Sequence, residues 1–104
     1  MDEPLDPRVA RVVARARVRK TEALAQWALV AGAAEDLDLE DLPSLAAELE
    51  AHLAHRRWRE ACAIGETLSE LAGAHLEASF WVSYAEEAQE AARTALAVEG
   101  DPNP

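Results

Sequence analysis

The stretch that decides the fold runs from His55 to Leu71 and reads HRRWREACAIGETLSEL. A short polar segment, residues 55–57, is followed by one helical face made of a bulky aromatic and smaller residues, Trp58, Ala61, Gly65 and Leu68. A large side chain beside small ones is typical of the second helix of a packed pair, because small residues let the neighbouring helix approach closely. The stretch therefore predicts antiparallel helices, and it indicates no reaction.

The composition predicts an all-α domain. Among the 104 residues are 24 Ala and 13 Leu, against seven Val, one Ile and three Thr, and Ala and Leu lead the helix-propensity scale. The length suits one domain, residues 1–104, with flexible ends at residues 1–6 and 99–104. We expect an antiparallel bundle of three long helices, with the middle helix continuous or broken into a helix pair.

The net charge of −10 limits the class of partner. Residues 8–20 contribute +6 and residues 21–104 contribute −13. An acidic chain is a poor general binder of nucleic acid or of an anionic membrane surface, since both attract basic proteins. A single cysteine, Cys62, cannot form an intrachain disulfide, so a reducing compartment is expected. No apolar run has the length of a membrane span, and the acidic N-terminus does not resemble a secretory signal. The cytoplasm is the predicted location.

Local signals place the helix ends. Asp6 is the predicted cap of a first helix that begins at Pro7 and either continues to about Ala34 or breaks near Lys20–Thr21. The acidic segment of residues 35–41 should connect it to the next helix. That helix should begin near Pro43, with Asp41 or Ser44 as its cap.

An interrupted apolar stripe and two glycines place the boundaries of the middle and last helices. The apolar stripe Leu45, Leu49, Leu53 is interrupted at residues 55–57, which predicts a tight turn there or one long helix that rotates its buried face, and the turn is favoured. We expect Trp58 to be buried between helices. Gly73 should end this region, and the last helix should run from about Ala74 to Val98, with Gly100 as its stop.

Two segments resemble tetratricopeptide repeats. In the stretch from Leu45 to Leu68, Trp58 and Ala61 match the aromatic and the small residue that follow the inter-helix turn of that family. The ending AARTALAVEGDP, residues 91–102, is similar to the closing part of a repeat. The sequence departs from the family at Gly65, where a large aromatic is usual. The resemblance covers about half the chain and implies a helical-hairpin domain that offers a groove to a peptide or a partner protein.

Residue types that form metal or catalytic sites in other proteins have a structural interpretation in this sequence. Glu48, His52 and His55 share a helix face at a spacing that suits a metal, but a complete site needs further ligands, so surface histidines are the preferred interpretation. Cys62 stands in an Ala-rich helix, where a lone cysteine usually packs as a small apolar residue. We predict no cofactor, no metal and no catalysis.

A basic face is the first candidate binding surface. Its residues lie on one side of the first helix and are Arg8, Arg11, Arg15 and Arg19. Two interpretations stay open. The arginines pair within the chain with carboxylates of the last helix, Glu86, Glu87 and Glu90, or they receive an acidic segment of a partner. The intramolecular pairing is favoured.

An aromatic cluster, Phe80, Trp81 and Tyr84, is the second candidate surface. Phe80 and Trp81 lie about 100° apart around a helix, so a small bundle is expected to bury one of them and expose the other. Two copies of the chain related by a two-fold axis could bury this arc against itself, which predicts a homodimer.

The sequence therefore predicts a non-catalytic protein–protein interaction module that acts through a helical groove or as an oligomer. The alternative is a small acidic regulator or inhibitor that occupies a basic surface of a partner protein, supported by the −13 of residues 21–104. Binding by such a regulator should weaken steeply as salt rises.

Overall fold

The computed structural model describes residues 4–36, 41–75 and 78–100, and four helices account for most of them. The helices are α1 (Pro7–Asp36), α2 (Leu42–Ala54), α3 (Trp58–Gly73) and α4 (Phe80–Glu99). These described residues form no strand, which confirms the all-α prediction. The expectation of three long helices is replaced by four, because the middle one is divided at residues 55–57 as the favoured interpretation had it.

Neighbouring helices run in opposite directions. The backbone N–H of Asp6, just before α1, donates to the Glu99 carboxylate at the end of α4 (3.4 Å), whereas Trp27 of α1 meets Trp81 near the start of α4. Helix α4 packs against both α1 and α3, and α2 packs mainly against α3. The start of α1, the α2–α3 turn and the end of α4 therefore share one end of an elongated molecule of 43 × 23 × 21 Å.

Helix α1 is continuous through Lys20. At its start the Asp6 carboxylate accepts a hydrogen bond from the Arg8 backbone N–H (2.9 Å), which confirms the predicted cap. The hydrogen bonds from Arg8 hold the pKa of Asp6 below its ordinary value. Lys20, which interrupts the apolar face, forms an ion pair with Glu50 of α2, and partial burial lowers its pKa.

The α2–α3 turn depends on one residue with a left-handed backbone. Arg56 has φ 57°, and the N–H of Arg57 donates to the carbonyl of His52 at 2.8 Å, which closes the turn. The chain then enters α3 directly at Trp58, whose side chain is 2% exposed. Both the turn and the burial of Trp58 were predicted.

Helix α4 begins six residues later than predicted, at Phe80 rather than Ala74. Gly73 does end α3, as expected, and the chain must then reverse direction before α4 can pack back against α3. Short-range hydrogen bonds, among them Ala78 N–H to His75 C=O (3.1 Å), form part of this reversal. At the other end of α4 the predicted stop is confirmed, since Gly100 has φ 79°.

Two boundary predictions concern segments that lie largely outside the described residues. The acidic connector falls largely outside the described residues, and Asp41, which precedes α2, makes no side-chain cap hydrogen bond. The predicted flexible ends also lie mostly outside the described residues. Within the described part, Leu5 packs against the core.

The core is built around an alanine-rich α4. The buried residues of that helix are Trp81, Tyr84, Ala85, Ala88, Ala91, Ala92 and Ala95. On the facing side, Gly65 of α3 is buried, and a Cβ atom added there would lie 2.6 Å from Cγ of Gln89. Helices α3 and α4 therefore approach so closely at Gly65 that even a methyl group requires Gln89 to move.

Replacing Arg56 with glycine should raise the free energy of unfolding by up to about 1 kcal/mol, because glycine adopts a left-handed backbone without the cost that other residues incur. The matched control is Ala63→Gly, at an exposed position in the middle of α3. This substitution should lower the free energy of unfolding by about 1 kcal/mol. Chemical denaturation of both variants measures the two changes. A loss at Arg56 as large as that at Ala63 would contradict the turn.

The change in stability caused by replacing Gly65 with alanine should depend on the residue at position 89. In a Gln89→Ala background the substitution should stabilise the protein by about 1 kcal/mol, the helix-propensity difference between alanine and glycine. In the wild type the contact with Gln89 should remove that gain or reverse it. Denaturation of the four proteins of this double-mutant cycle gives the coupling energy. Equal effects in both backgrounds would show that the helices are not in close contact here.

Candidate interaction surface

The predicted aromatic surface is wrong for two of its three residues. Trp81 is 0% exposed and Tyr84 is 1% exposed, so neither is available to a partner. Phe80 is half-buried at the surface. Of the adjacent pair, Trp81 is thus the residue inside the bundle, and an arc formed by all three aromatics does not exist.

The physical reason is a cluster of aromatic rings between α1 and α4. The ring centroids of Trp27 and Trp81 lie 6.1 Å apart at 63°, and those of Trp81 and Tyr84 lie 6.4 Å apart at 64°, which is favourable edge-to-face geometry. The Tyr84 hydroxyl donates to the carbonyl of Ala46 in α2 (3.4 Å). Burial raises the pKa of that hydroxyl. These rings fill space that the surrounding alanines leave empty.

The basic face pairs within the chain, in line with the favoured interpretation for Arg15. Its guanidinium lies 3.6 Å from the Glu87 carboxylate and 3.7 Å from that of Glu90, both on α4. Arg8 instead pairs locally with Asp6 (3.1 Å). Arg19 pairs with Glu22, one turn further along α1 (3.2 Å).

Besides Arg8 and Arg19, which pair locally, two further members of the predicted charge pairing remain outside it. Arg11 is exposed, and so is Glu86, and neither forms an ion pair with another residue in the described ranges. The pairs that do form lie at the surface, where an ion pair contributes at most about 1 kcal/mol. Of these four arginines, Arg15 alone links α1 to α4 through ion pairs in the described ranges.

An open groove lies between α1 and the first turns of α4. It has a volume of about 420 Å³, and its walls are formed by Arg19, Glu22, Ala23, Ala25, Gln26, Phe80 and Ser83. A second depression of about 250 Å³ continues it towards the start of α1 and is lined by Arg15, Val18, Arg19, Glu22 and Glu87. We call the two together the α1–α4 groove. Because Arg19 and Glu22 belong to both, their ion pair stands where the two parts meet.

An exposed apolar stripe adjoins this groove on the outer side of α1. Val18 is 57% exposed and Leu29 is 80% exposed. With the exposed Ala25, they fall within about 40° of one another around the helix axis. We call these three residues the α1 stripe. Glu22 lies between Val18 and Ala25 on this side of the helix. Exposed apolar side chains that are aligned on one helix face indicate a contact surface.

The residues considered for chemistry lie on two neighbouring helices and the turn between them, with Glu48 and His52 on α2, His55 in the turn and Cys62 on α3. The Nδ1 atom of His52 accepts a hydrogen bond from Arg57 (2.8 Å), and its Nε2 atom lies 3.7 Å from the Glu48 carboxylate. No group of metal-ligating side chains occurs among the residues that could be searched, which are those the structure describes. Cys62 is half-buried, and burial raises the pKa of its thiol, which disfavours the reactive thiolate.

Sequence reasoning missed both the α1–α4 groove and the α1 stripe. The signal for the stripe was present, since Val18, Ala25 and Leu29 follow a spacing of seven and four residues. That spacing was hidden by the stronger apolar face on the other side of α1. The groove had no sequence signal, because it is created by the way α4 packs against α1.

Comparison with known proteins adds no assignment. No family model matches the chain, and no curated protein or solved structure is significantly similar to it. Among the described residues, no helix combines the length and the apolar character that a membrane span requires.

Replacing Trp81 with alanine should lower the free energy of unfolding by about 3–5 kcal/mol, the cost of emptying a large buried site. Phe80→Ala is the matched control at the neighbouring position, and it should cost clearly less because Phe80 is only half-buried. Thermal or chemical denaturation followed by circular dichroism measures both changes. If the order of the two losses were reversed, the orientation of α4 described here would be wrong.

Proposed function

We propose that this domain is a non-catalytic protein–protein interaction module and that the α1–α4 groove receives the partner. The observation that carries the proposal is the combination of an apolar floor with polar residues at the edge. Phe80 and Ala23 supply apolar surface, while Arg19, Glu22 and Gln26 can donate and accept hydrogen bonds. Binding sites commonly combine an apolar lining with a few polar groups that fix the orientation of the bound molecule.

The resemblance to tetratricopeptide repeats belongs to the same proposal. Helices α2 and α3, of 13 and 16 residues, are joined by a short turn, which is close to the ~34-residue helix–turn–helix unit of that family. Trp58 and Ala61, the residues that carry the resemblance, are both buried. A stacked helical scaffold that presents a groove to a protein segment is consistent with the packing of α1 and α4 beside this pair.

A crosslinking experiment tests the groove. A photoreactive amino acid at Ser83, on the wall of the groove, should form discrete covalent adducts with protein in cells of the native host. The same residue at Glu66, which is exposed on α3, serves as the matched position outside the groove. Ala25→Glu should abolish the Ser83 adducts by placing a charge in the groove, whereas Ala63→Glu on α3 should leave them unchanged.

The outcomes separate the groove from the rest of the surface. Adducts at Ser83 that disappear with Ala25→Glu support the proposal. Equal labelling from Ser83 and Glu66, or adducts that survive Ala25→Glu, would contradict it. The absence of any adduct from Ser83 would contradict it as well.

The second candidate function is a small acidic regulator that occupies a basic surface of a partner. All ten Lys and Arg residues lie in segments 8–20 and 56–59 or at residue 93, so segments 21–55 and 60–92 contain none. Those two segments carry fifteen of the twenty Asp and Glu residues. Crosslinking over a range of salt concentrations distinguishes the candidates. Adducts with an acidic regulator should fall steeply with salt, whereas those of an apolar groove should change little.

A further inference from the structure

We propose that the partner of the α1 stripe is a second copy of this chain, and that the two α1 helices pair in an antiparallel, two-fold arrangement. The inference rests on the proposed function, since the α1 stripe borders the α1–α4 groove and shares Val18 and Ala25 with it. It replaces the dimer predicted from the aromatic cluster, whose Trp81 and Tyr84 are buried.

The spacing of residues along the outer side of α1 fits a helix-to-helix seam. Val18 and Ala25 are seven residues apart, and so are Glu22 and Leu29, with alternating steps of four and three between them. These are the a and d positions of a heptad pattern, which place side chains along one line facing a partner helix. All four residues are exposed in the single chain.

An antiparallel register matches the apolar residues of this seam. When Val18 of one copy lies opposite Leu29 of the other, the two-fold axis falls between residues 23 and 24. The same register then repeats the Val18–Leu29 contact on the other side of the axis, because a two-fold interface contains each contact twice. Ala25 of each copy lies opposite Glu22 of the other, near the axis, where the small alanine leaves room for the longer side chain.

The charge of α1 selects the antiparallel direction. Residues 8–20 carry six Lys and Arg residues and no carboxylate, whereas residues 21–36 carry three carboxylates and no Lys or Arg. Parallel pairing would set the two basic halves side by side. Antiparallel pairing brings the exposed Arg11 and its basic neighbours towards the C-terminal half of the other α1, where the helix dipole also favours cations.

The mass in solution tests whether the stripe forms the interface. Light scattering coupled to size exclusion, at tens of micromolar protein, should show a dimer for the wild type and a monomer for Leu29→Glu. Leu71→Glu is the matched control, because Leu71 is also exposed but lies on α3. It should remain dimeric while changing the net charge by the same amount. Circular dichroism should show unchanged helicity for both variants, since each alters an exposed position.

Disulfide trapping tests the register. In a Cys62→Ala background, Val18→Cys protein mixed with Leu29→Cys protein should form a crosslinked dimer under mild oxidation, because the two sulfurs face one another. Neither protein alone should crosslink, since like positions are separated by eleven residues, or about 16 Å along the helix, which exceeds the reach of a disulfide.

Each result decides one of the two proposals. A dimer lost only in Leu29→Glu, with trapping only in the mixture, supports the antiparallel pair. Trapping of Val18→Cys protein alone indicates parallel helices and overturns it. A dimer that survives Leu29→Glu would show that the α1 stripe is not the interface. A monomeric wild type would show that a second copy of the chain is not the partner of the stripe. In that last case, groove-dependent adducts from Ser83 with other proteins would leave the proposed function standing, whereas their absence would remove both.

Discussion

Helix α4 packs mainly against α1 and α3, and five of its seven described buried residues are alanines. An alanine contributes little apolar area when it is buried, so stability comes from short distances between helix backbones rather than from large side chains. Close packing is most pronounced at Gly65, because the missing Cβ of this glycine allows α3 to approach Gln89 of α4. The packing of α3 against α4 depends on this close approach.

Close packing through alanines cannot fill the whole space between α1, α2 and α4. Near the start of α4 the larger rings of Trp27, Trp81 and Tyr84 fill it instead. The arrangement has a cost, since Nε1 of Trp81 is buried without a hydrogen-bond acceptor among the described residues. It also fixes the rotation of α4 about its axis, which turns Phe80 outwards to form one wall of the α1–α4 groove.

Helix α1 is held mainly from one side. Its buried face rests on α4, and its link to α2 includes the Lys20–Glu50 ion pair, while its outer side carries the α1 stripe. Local helix propensity does not require exposed Val18 and Leu29 at these positions, and alanine would suit a solvated helix better. The proposed function and the proposed antiparallel pair both follow from this uncovered side of α1, which is the longest helix in the described ranges.

The sequence by itself determined most of the helix boundaries, because those signals act within a few residues. Asp6 with Pro7, the polar residues 55–57, Gly73 and Gly100 each marked a boundary that the structure confirms, and burial of Trp58 followed from its place after the turn. The late start of α4 was missed, since a chain reversal has no strong local signal here. Only the tertiary structure decided that Trp81 rather than Phe80 enters the core, that Arg15 meets Glu87 and that the α1 stripe stays exposed. Those outcomes depend on how each helix is rotated against its neighbours, and rotation is set by side chains distant in sequence that must fit together when the helices pack.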